Sequence, residues 1–245
     1  MQINVIRFDS LPSTNTEAAE QAGRGAAEGT CIIAAEQTAG RGRLGRRWAG
    51  SKGTGLYLSI VLRPAIEPRS LPLMTLMAGL AVHDTMHEIG LRPDIKWVND
   101  VLIGERKISG ILAETIETPL GRAVIVGIGI NIRSEGLPPE IAAIATSLSD
   151  QGVRINAETI ERILLRRLTD RYTRLLAEGG CGETIAEWAE RSSYFAGKAI
   201  RATLGTSTIE GITDGLEPDG GLRVKLPDGS VNIIRSGEVE RLRSI

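Results

Sequence analysis

The sequence predicts an α+β protein in two parts, residues 1–196 and 197–245. Three observations support this class. Glycine-punctuated β-prone segments occupy the middle of the chain, long amphipathic patterns flank them, and short strands separated by turn residues such as Thr213-Asp214-Gly215 follow from residue 197. With 245 residues, 42% of them hydrophobic, the chain is long enough for one large core with a small module attached.

The first predicted elements alternate strands with one helix. A strand at 5–8 precedes a helix that Ser13 or Thr14 caps, that runs to about Gln21 and that Gly23 ends. Apolar runs predict further strands at 30–36 and 56–62. Cys31 belongs to the first of these runs, whereas Cys181 lies among glycines that predict a loop, and neither cysteine suggests a disulfide framework.

Two long helices are predicted outside the strands. The first begins after Ser70, carries leucines and methionines on one face, and ends at Gly90. The second begins at Asn156 and continues to about Leu176, and a short helix begins near Ile185. Periodic leucine and isoleucine positions of this kind are more often scaffold than ligand site.

The most distinctive segment is an arginine-rich loop with glycines at intervals, Gly40-Arg41-Gly42-Arg43-Leu44-Gly45-Arg46-Arg47-Trp48. Residues 37–55 contain no acidic side chain, so we expect the loop to be disordered unless a ligand neutralises it. Glycines allow close backbone approach, which suits a polyanionic ligand. A solvated basic turn and a nucleic-acid patch are the alternative interpretations.

Two common phosphate-binding motifs do not fit this loop. Gly40, Gly42 and Gly45 match G-x-G-x-x-G, but no amphipathic helix follows and the first acid downstream is Glu67, so a dinucleotide fold is disfavoured. The pattern G-x-x-x-x-G-K-[ST] is absent, because Ala199 follows Gly197-Lys198. The sequence therefore does not predict a P-loop.

Residues 96–114 predict a β-hairpin that turns at Gly104-Glu105-Arg106. Lys107 then enters a strand with apolar neighbours, close to Gly110, where a ligand could approach the backbone. The alternative is an edge-strand lysine that discourages aggregation. Residues 123–131 predict a buried strand interrupted by Gly127 and Gly129 and closed by an asparagine.

Composition limits the function classes. The net charge of −1 argues against a protein that mainly coats nucleic acid or an anionic membrane, and no apolar run is long enough to span a bilayer. Few cysteines and no secretory signal favour a cytoplasmic location. His83 and His87 stand four apart on a predicted helix, but without an adjacent glutamate or third ligand we expect no resident metal.

Six blocks in order resemble the biotin protein ligases, also called biotin–acetyl-CoA-carboxylase ligases. The blocks are Ser13-Thr14-Asn15, Glu36-Gln37 with residues 39–43, Lys96-Trp97 with Asn99-Asp100, Lys107 with residues 110–112, residues 127–131, and residues 236–239. One position departs from the family pattern, since Val98 stands where a proline is usual. Valine allows an extended backbone but does not enforce it, so the sequence constrains the placement of Asn99 and Asp100 less strictly than the family pattern does.

The resemblance implies a class II synthetase-like catalytic domain with a mixed sheet and flanking helices, followed by an SH3-like barrel. It implies formation of biotinyl-5′-AMP from biotin and ATP with Mg²⁺, then transfer to a lysine of biotin carboxyl carrier protein. A homodimer is possible, and no nucleic-acid partner is expected, because no helix-turn-helix precedes Ser13. Lipoate or octanoate attachment by the same fold is the alternative.

Carried over by position, the resemblance also assigns site residues. Lys107, Arg41 and Asp100 are the catalytic candidates. The biotin site is expected to use Ser13, Thr14, Asn15, Gln37, Gly40, Arg41, Gly42, Arg43, Lys107, Gly110, Gly127 and Gly129. The ATP site is expected to use Arg43, Arg46, Trp48, Asn99 and Asn131. Asp100 could equally be a turn-forming acid, and Trp48 could be a staple for the loop.

Overall fold

The computed structural model describes residues 1–135 and 139–241. A seven-stranded sheet forms the larger part, in the order β1-β2-β3-β7-β6-β5-β4. Its strands are β1 (Asn4–Phe8), β2 (Thr30–Ala34), β3 (Gly55–Leu62), β4 (Pro93–Lys96), β5 (Asp100–Ile103), β6 (Arg106–Thr118) and β7 (Gly121–Asn131). β1 and β2 pair in parallel and the other neighbours are antiparallel, so the sheet is mixed as predicted.

Five helices accompany the strands of the described chain. They are α1 (Thr14–Gly23), α2 (Leu73–Glu88), α3 (Pro139–Ala142), α4 (Ala157–Leu176) and α5 (Gly180–Arg191). Alternate residues of β3 and β7 point to opposite faces of the sheet. Leu58, Ile60 and Val126 join the large core with α2 and α4, whereas Val61 and Ile125 join a smaller cluster with Ala18 and Ala22 of α1.

The helix signals are largely confirmed. Asn156 caps α4, because its side-chain oxygen accepts a 2.9 Å hydrogen bond from the Thr159 amide. Gly90, with φ +87°, follows α2 as expected. The start of α2 is later than predicted, since residues 68–70 form a separate 3₁₀ turn.

One strand was missed and two local predictions are wrong. β4 was not predicted at all. The segment around Cys181 was expected to be a loop but forms the first turn of α5, which begins after Gly179 at φ +77°. Residues 213–215 were predicted to form a turn but belong to a longer strand.

In β2, burial raises the pKa of the Cys31 thiol to about 12, so this cysteine stays protonated.

The C-terminal part is a five-stranded antiparallel sheet of the SH3-like type. It contains β8 (Ala196–Leu204), β9 (Ser207–Leu216), β10 (Leu222–Lys225), β11 (Val231–Ile234) and β12 (Glu238–Arg241), in the order β11-β10-β9-β8-β12. The Trp97 indole donates a 3.0 Å hydrogen bond to the Gly220 carbonyl and so ties this module to the larger part. Among the described helices, none is long and apolar enough to cross a membrane.

Candidate active site

A cavity of about 510 Å³ opens on the face of the large sheet that α1 partly covers. Its floor is made by backbone, because Gly110 pairs with Gly129 and Leu112 pairs with Gly127 across β6 and β7. A Cβ on Gly127 would overlap the Asn15 side chain, and one on Gly129 would overlap the Trp48 indole. These glycines therefore leave space that side chains from other segments, or a ligand, can fill.

One end of the cavity is polar and uncharged. Thr14 donates to the Gln37 side-chain oxygen from its amide at 2.8 Å and from its hydroxyl at 3.1 Å. The Ser59 hydroxyl lies 2.6 Å from Asn15 Oδ1 and 2.8 Å from the Thr14 hydroxyl. Ser13, Thr14 and Asn15 are all buried at the start of α1, so their polar atoms are held in fixed positions.

The other end is built around Lys107 and Asp100. Lys107 Nζ lies 2.6 Å from Asp100 Oδ1, with 31% and 19% of the two side chains exposed. Lys107 Nζ also lies 5.3 Å from the centre of the Trp48 ring. Because β6 lies between β5 and β7, Lys107 is not an edge-strand residue, and the anti-aggregation interpretation is wrong.

The arginine loop is folded against carboxylates from distant segments. Arg41 bonds Glu114, Arg46 bonds Glu238 through both terminal guanidinium nitrogens, and Lys52 bonds Asp9 at 2.8 Å. This differs from the expectation that a ligand would be needed to neutralise the loop. The missing acids of residues 37–55 are supplied by Asp9, just after β1, by β6 and by the C-terminal module.

Arg43 lies deeper than the other loop cations. Its guanidinium donates to Asn99 Oδ1 at 3.3 Å and to the Gly237 carbonyl at 3.4 Å. Burial lowers the pKa of Arg43 below its usual value, although the charges of Asp100 and Glu238 oppose the shift. An anion bound beside Arg43 would therefore meet a partly desolvated cation, which strengthens their attraction.

The two asparagines are fixed by backbone carbonyls. Asn99 Nδ2 donates to the Ile111 carbonyl at 2.9 Å, and Asn131 Nδ2 donates to the Thr146 carbonyl at 3.0 Å. Asn131 Oδ1 is therefore available to accept a donor or coordinate a cation, whereas Asn99 Oδ1 already accepts the bond from Arg43 and has one further lone pair for a ligand. The peptide bond between Trp97 and Val98 is cis, and Asn99 and Asp100 both line the cavity.

The structure brings the predicted residues to one place. The cavity is lined by Ser13, Thr14, Asn15, Gln37, Arg41, Gly42, Arg43, Arg46, Trp48, Asn99, Asp100, Lys107, Gly110, Gly127, Gly129 and Asn131. Gly40 is not among the lining residues, and a Cβ on it would lie 2.5 Å from the Trp48 carbonyl oxygen. His83 lies elsewhere, on α2, with its Nδ1 3.6 Å from Asp84.

Comparison with known proteins agrees with this geometry. Residues 7–131 match the biotin/lipoate A/B protein ligase family, and residues 195–242 match the biotin protein ligase C-terminal domain. The chain belongs to the biotin protein ligase family. It is 36% identical to the bifunctional ligase/repressor BirA of Bacillus subtilis, over 97% of this chain and 74% of that protein.

Two further relatives cover almost the whole of this ligase. The biotin–[acetyl-CoA-carboxylase] ligase of Mycobacterium tuberculosis is 33% identical over 94% of this chain and 86% of its own length. The biotin protein ligase of Aquifex aeolicus, solved in complex with biotin and ATP, is 32% identical with a TM-score of 0.83, covering 98% and 99% of the two chains.

Sequence reasoning did not assign three residues that shape the site of this ligase. Ser59 is a fully buried polar residue within the apolar strand β3, and that contrast with its neighbours was the available signal. Glu114 and Glu238 lie in or beside blocks that carry the family resemblance. Their pairing with arginines 73 and 192 positions away leaves no local pattern in the sequence.

Proposed function

We propose that this protein is an ATP-dependent biotin protein ligase. It joins biotin to ATP to give biotinyl-5′-AMP and pyrophosphate, and then transfers the biotinyl group to a lysine of biotin carboxyl carrier protein. The observation that supports this is a single cavity with a neutral polar end at Asn15 and a cationic end at Lys107 and Arg43. A biotin molecule has the same polarity, with a ureido ring at one end and a carboxylate at the other.

In this proposal the neutral end receives the ureido ring. Hydroxyl and amide groups of Ser13, Thr14, Asn15 and Gln37 can match its two N–H donors and its carbonyl acceptor. The glycines at 110, 127 and 129 carry no side chain, and the Trp48, Lys107 and Asn15 side chains that lie close above them form the surface that the bicyclic ring and its chain would meet. Because Thr14, Asn15 and Gln37 are already oriented by hydrogen bonds, these polar groups need little reorganisation when biotin enters.

The cationic end carries the adenylation step. A carboxylate oxygen of biotin attacks the α-phosphorus of ATP, the bond to the β-phosphate oxygen breaks, and pyrophosphate leaves. Both reactants are anions, so Lys107, Arg41 and Arg43 offset their repulsion and stabilise the charge that develops on the phosphoryl oxygens. Arg46 and Trp48 belong to the same loop and are our candidates to contact the nucleotide.

The Mg²⁺ that accompanies ATP fits the oxygen donors of this site. Magnesium is commonly held by one or two carboxylates together with substrate phosphates. Asp100 is one of the carboxylates that line the cavity, and the fixed Nδ2 atoms of Asn99 and Asn131 leave amide oxygens as further ligands. These residues would hold the ion, which would supply charge neutralisation at the phosphates.

Transfer completes the reaction. The ε-amine of the carrier lysine attacks the acyl carbon of biotinyl-5′-AMP, the acyl–phosphate bond breaks, and AMP leaves while the amine loses a proton. Asp100 is our candidate to orient that amine and accept the proton. Lys107, 2.6 Å away, stabilises the oxygen charge in the tetrahedral intermediate.

The proposal extends to the setting of the enzyme. We infer a cytoplasmic ligase with the catalytic domain at 1–196 and the SH3-like module at 197–245, acting on a carrier protein and not on nucleic acid or membrane. A homodimer is compatible with this function.

The test is incubation of the purified protein with ATP, Mg²⁺ and either biotin or lipoate. We expect biotinyl-5′-AMP and pyrophosphate, detected by mass spectrometry, and biotinylation of added carrier protein. Formation of lipoyl-adenylate without biotinyl-adenylate would contradict biotin ligation and indicate lipoate attachment instead. Strong salt-dependent binding of DNA or RNA, with no adenylate, would favour a nucleic-acid role for the arginine loop.

A further inference from the structure

Glu114 lies where the glycine floor of the cavity meets α1. It is on β6, two residues beyond Leu112 and on the same face as Gly110, and it pairs with Ile125 of β7. Its side chain is 35% exposed. Nothing in the proposed chemistry requires a carboxylate here, since the anionic substrates would be repelled by it.

The contacts of Glu114 join two segments of the site. Its Oε2 atom accepts a 2.8 Å hydrogen bond from Asn15 Nδ2, and the same oxygen pairs with the Arg41 guanidinium. Asn15 comes from the first turn of α1, and Arg41 comes from the arginine loop. One carboxylate oxygen therefore links the neutral end of the cavity to the cationic loop.

The carboxylate decides how the Asn15 amide is oriented. An ionised carboxylate accepts hydrogen bonds and donates none, so it selects the Nδ2 end of the amide. The Leu112 carbonyl accepts from the same nitrogen at 3.2 Å. Asn15 Oδ1 is thereby turned toward the Ser59 hydroxyl at 2.6 Å and over the backbone of Gly127.

We propose that Glu114 is a positioning residue for biotin binding, acting through Asn15, and this inference rests on the proposed function. With both hydrogens of Nδ2 occupied, Asn15 presents a fixed acceptor to the donor groups of the ureido ring. The second contact of Glu114 keeps Arg41 at the edge of the cavity. That ion pair is half exposed, so Arg41 can leave it at small cost when an anionic substrate binds.

The test compares Glu114→Ala and Glu114→Gln with the wild-type protein. Glu114→Ala removes the acceptor and should raise KM for biotin about tenfold, the size of one misaligned buried hydrogen bond, with a smaller change in kcat. Glu114→Gln keeps a carbonyl oxygen for Asn15 Nδ2 and should restore KM to within about threefold of wild type. Glu117→Ala is the matched control, because Glu117 also lies on β6 and pairs with an arginine, Arg122, at 2.8 Å.

A double-mutant cycle separates positioning from general damage. If Glu114 acts through Asn15, Glu114→Ala should add little to the biotin KM of an Asn15→Ala protein, whereas independent effects would multiply. Circular dichroism and thermal unfolding check folding, and Glu114→Met, of similar volume, replaces Glu114→Ala if the alanine protein is unstable.

The possible results are distinct. A wild-type KM for biotin in Glu114→Ala, a multiplicative cycle, or a glutamine variant as impaired as the alanine variant would each overturn the inference. Failure of the wild-type protein to form biotinyl-5′-AMP would instead overturn the proposed function.

Discussion

Removal of the Lys107 charge tests the proposed chemistry most directly. Lys107→Ala deletes a cation whose Nζ lies at the centre of the reactive end, 2.6 Å from Asp100 and 5.3 Å from the Trp48 ring. Because the two ionic side chains are 31% and 19% exposed, solvent screens them only in part.

The size of the effect follows from this position. Loss of one donor that stabilises developing oxygen charge costs about 10²–10³ in rate, or roughly 3–4 kcal/mol of transition-state stabilisation. We expect Lys107→Ala to lower ligation by at least that factor while the fold persists, because the lysine lies in a cavity and not in the core.

Arginine should not replace this lysine. A Cβ built on Gly110 would lie 2.9 Å from Lys107 Nζ and 2.8 Å from the Trp48 ring. The ammonium therefore already fills the space beside the Gly110 backbone and the indole. A planar guanidinium is wider and places its charge further along the stem. Lys107→Arg should therefore remain at least about tenfold below the wild-type rate.

The assay measures initial rates of pyrophosphate release and of carrier biotinylation for both variants. Lys52→Ala is the control, because this loop lysine is 59% exposed and pairs with an exposed Asp9. Its rate should stay within about twofold of wild type. Near wild-type rates for Lys107→Ala, with circular dichroism unchanged, would refute the proposed role of Lys107.

Three further predictions concern the floor, the scaffold and the loop. Gly127→Ala should raise KM for biotin about tenfold or more, because its Cβ would displace Asn15, whereas Gly182→Ala on α5 meets open space and should leave KM unchanged; steady-state kinetics compare them. Arg171→Ala should lower the free energy of unfolding by about 3 kcal/mol, measured by urea denaturation, because the 8%-exposed guanidinium pairs with Asp84 between α2 and α4. Burial alone would raise the pKa of Asp84, but hydrogen bonds from His83 and Arg171 lower it. The Asp84 carboxylate therefore stabilises the fold above about pH 4, and this stabilisation is lost as the pH falls below that value. Arg171→Ala should weaken this acid dependence. Amides of residues 40–53 should exchange more slowly once biotin and ATP are bound, and equal exchange with and without ligands would contradict ordering of the loop.

Elements with strong local signals were predictable from the sequence. The α4 helix has a capping asparagine and a continuous apolar face, and both features act within a few residues. The β5–β6 hairpin was also correct, because Gly104 at φ +61° supplies the turn. For such elements tertiary packing agrees with local preference.

In the missed elements, local preference and tertiary packing disagree. β4 has four residues, begins with a proline and lies at the edge of the sheet, so its strand character depends on pairing with β5. The start of α5 is glycine-rich, which locally predicts a loop. Gly180 is nevertheless helical, because its missing side chain allows close contact with the Arg174 and Leu175 carbonyls at the end of α4.

The residues of the site can also be divided into those that the sequence predicts and those that it does not. Residue types and order predicted a lysine, asparagines and glycines that line the cavity, since the chemistry of a ligand limits which groups can bind it. The counterions of the arginines could not be predicted, because Glu114 and Glu238 reach the loop only through the sheet register and the docking of the C-terminal module.

Those counterions change how the arginine loop should be understood. A loop with free cations would release the full energy of ion pairing when a polyanion binds. Here Arg41 and Arg46 start from protein carboxylates, so an anionic substrate gains only the difference between two ion pairs. Arg43 differs, because it donates to the neutral oxygens of Asn99 and Gly237 and is more deeply buried. Among these three arginines, Arg43 should therefore contribute most to the net attraction for ATP, while Arg41 and Arg46 determine where the loop rests before the substrate arrives.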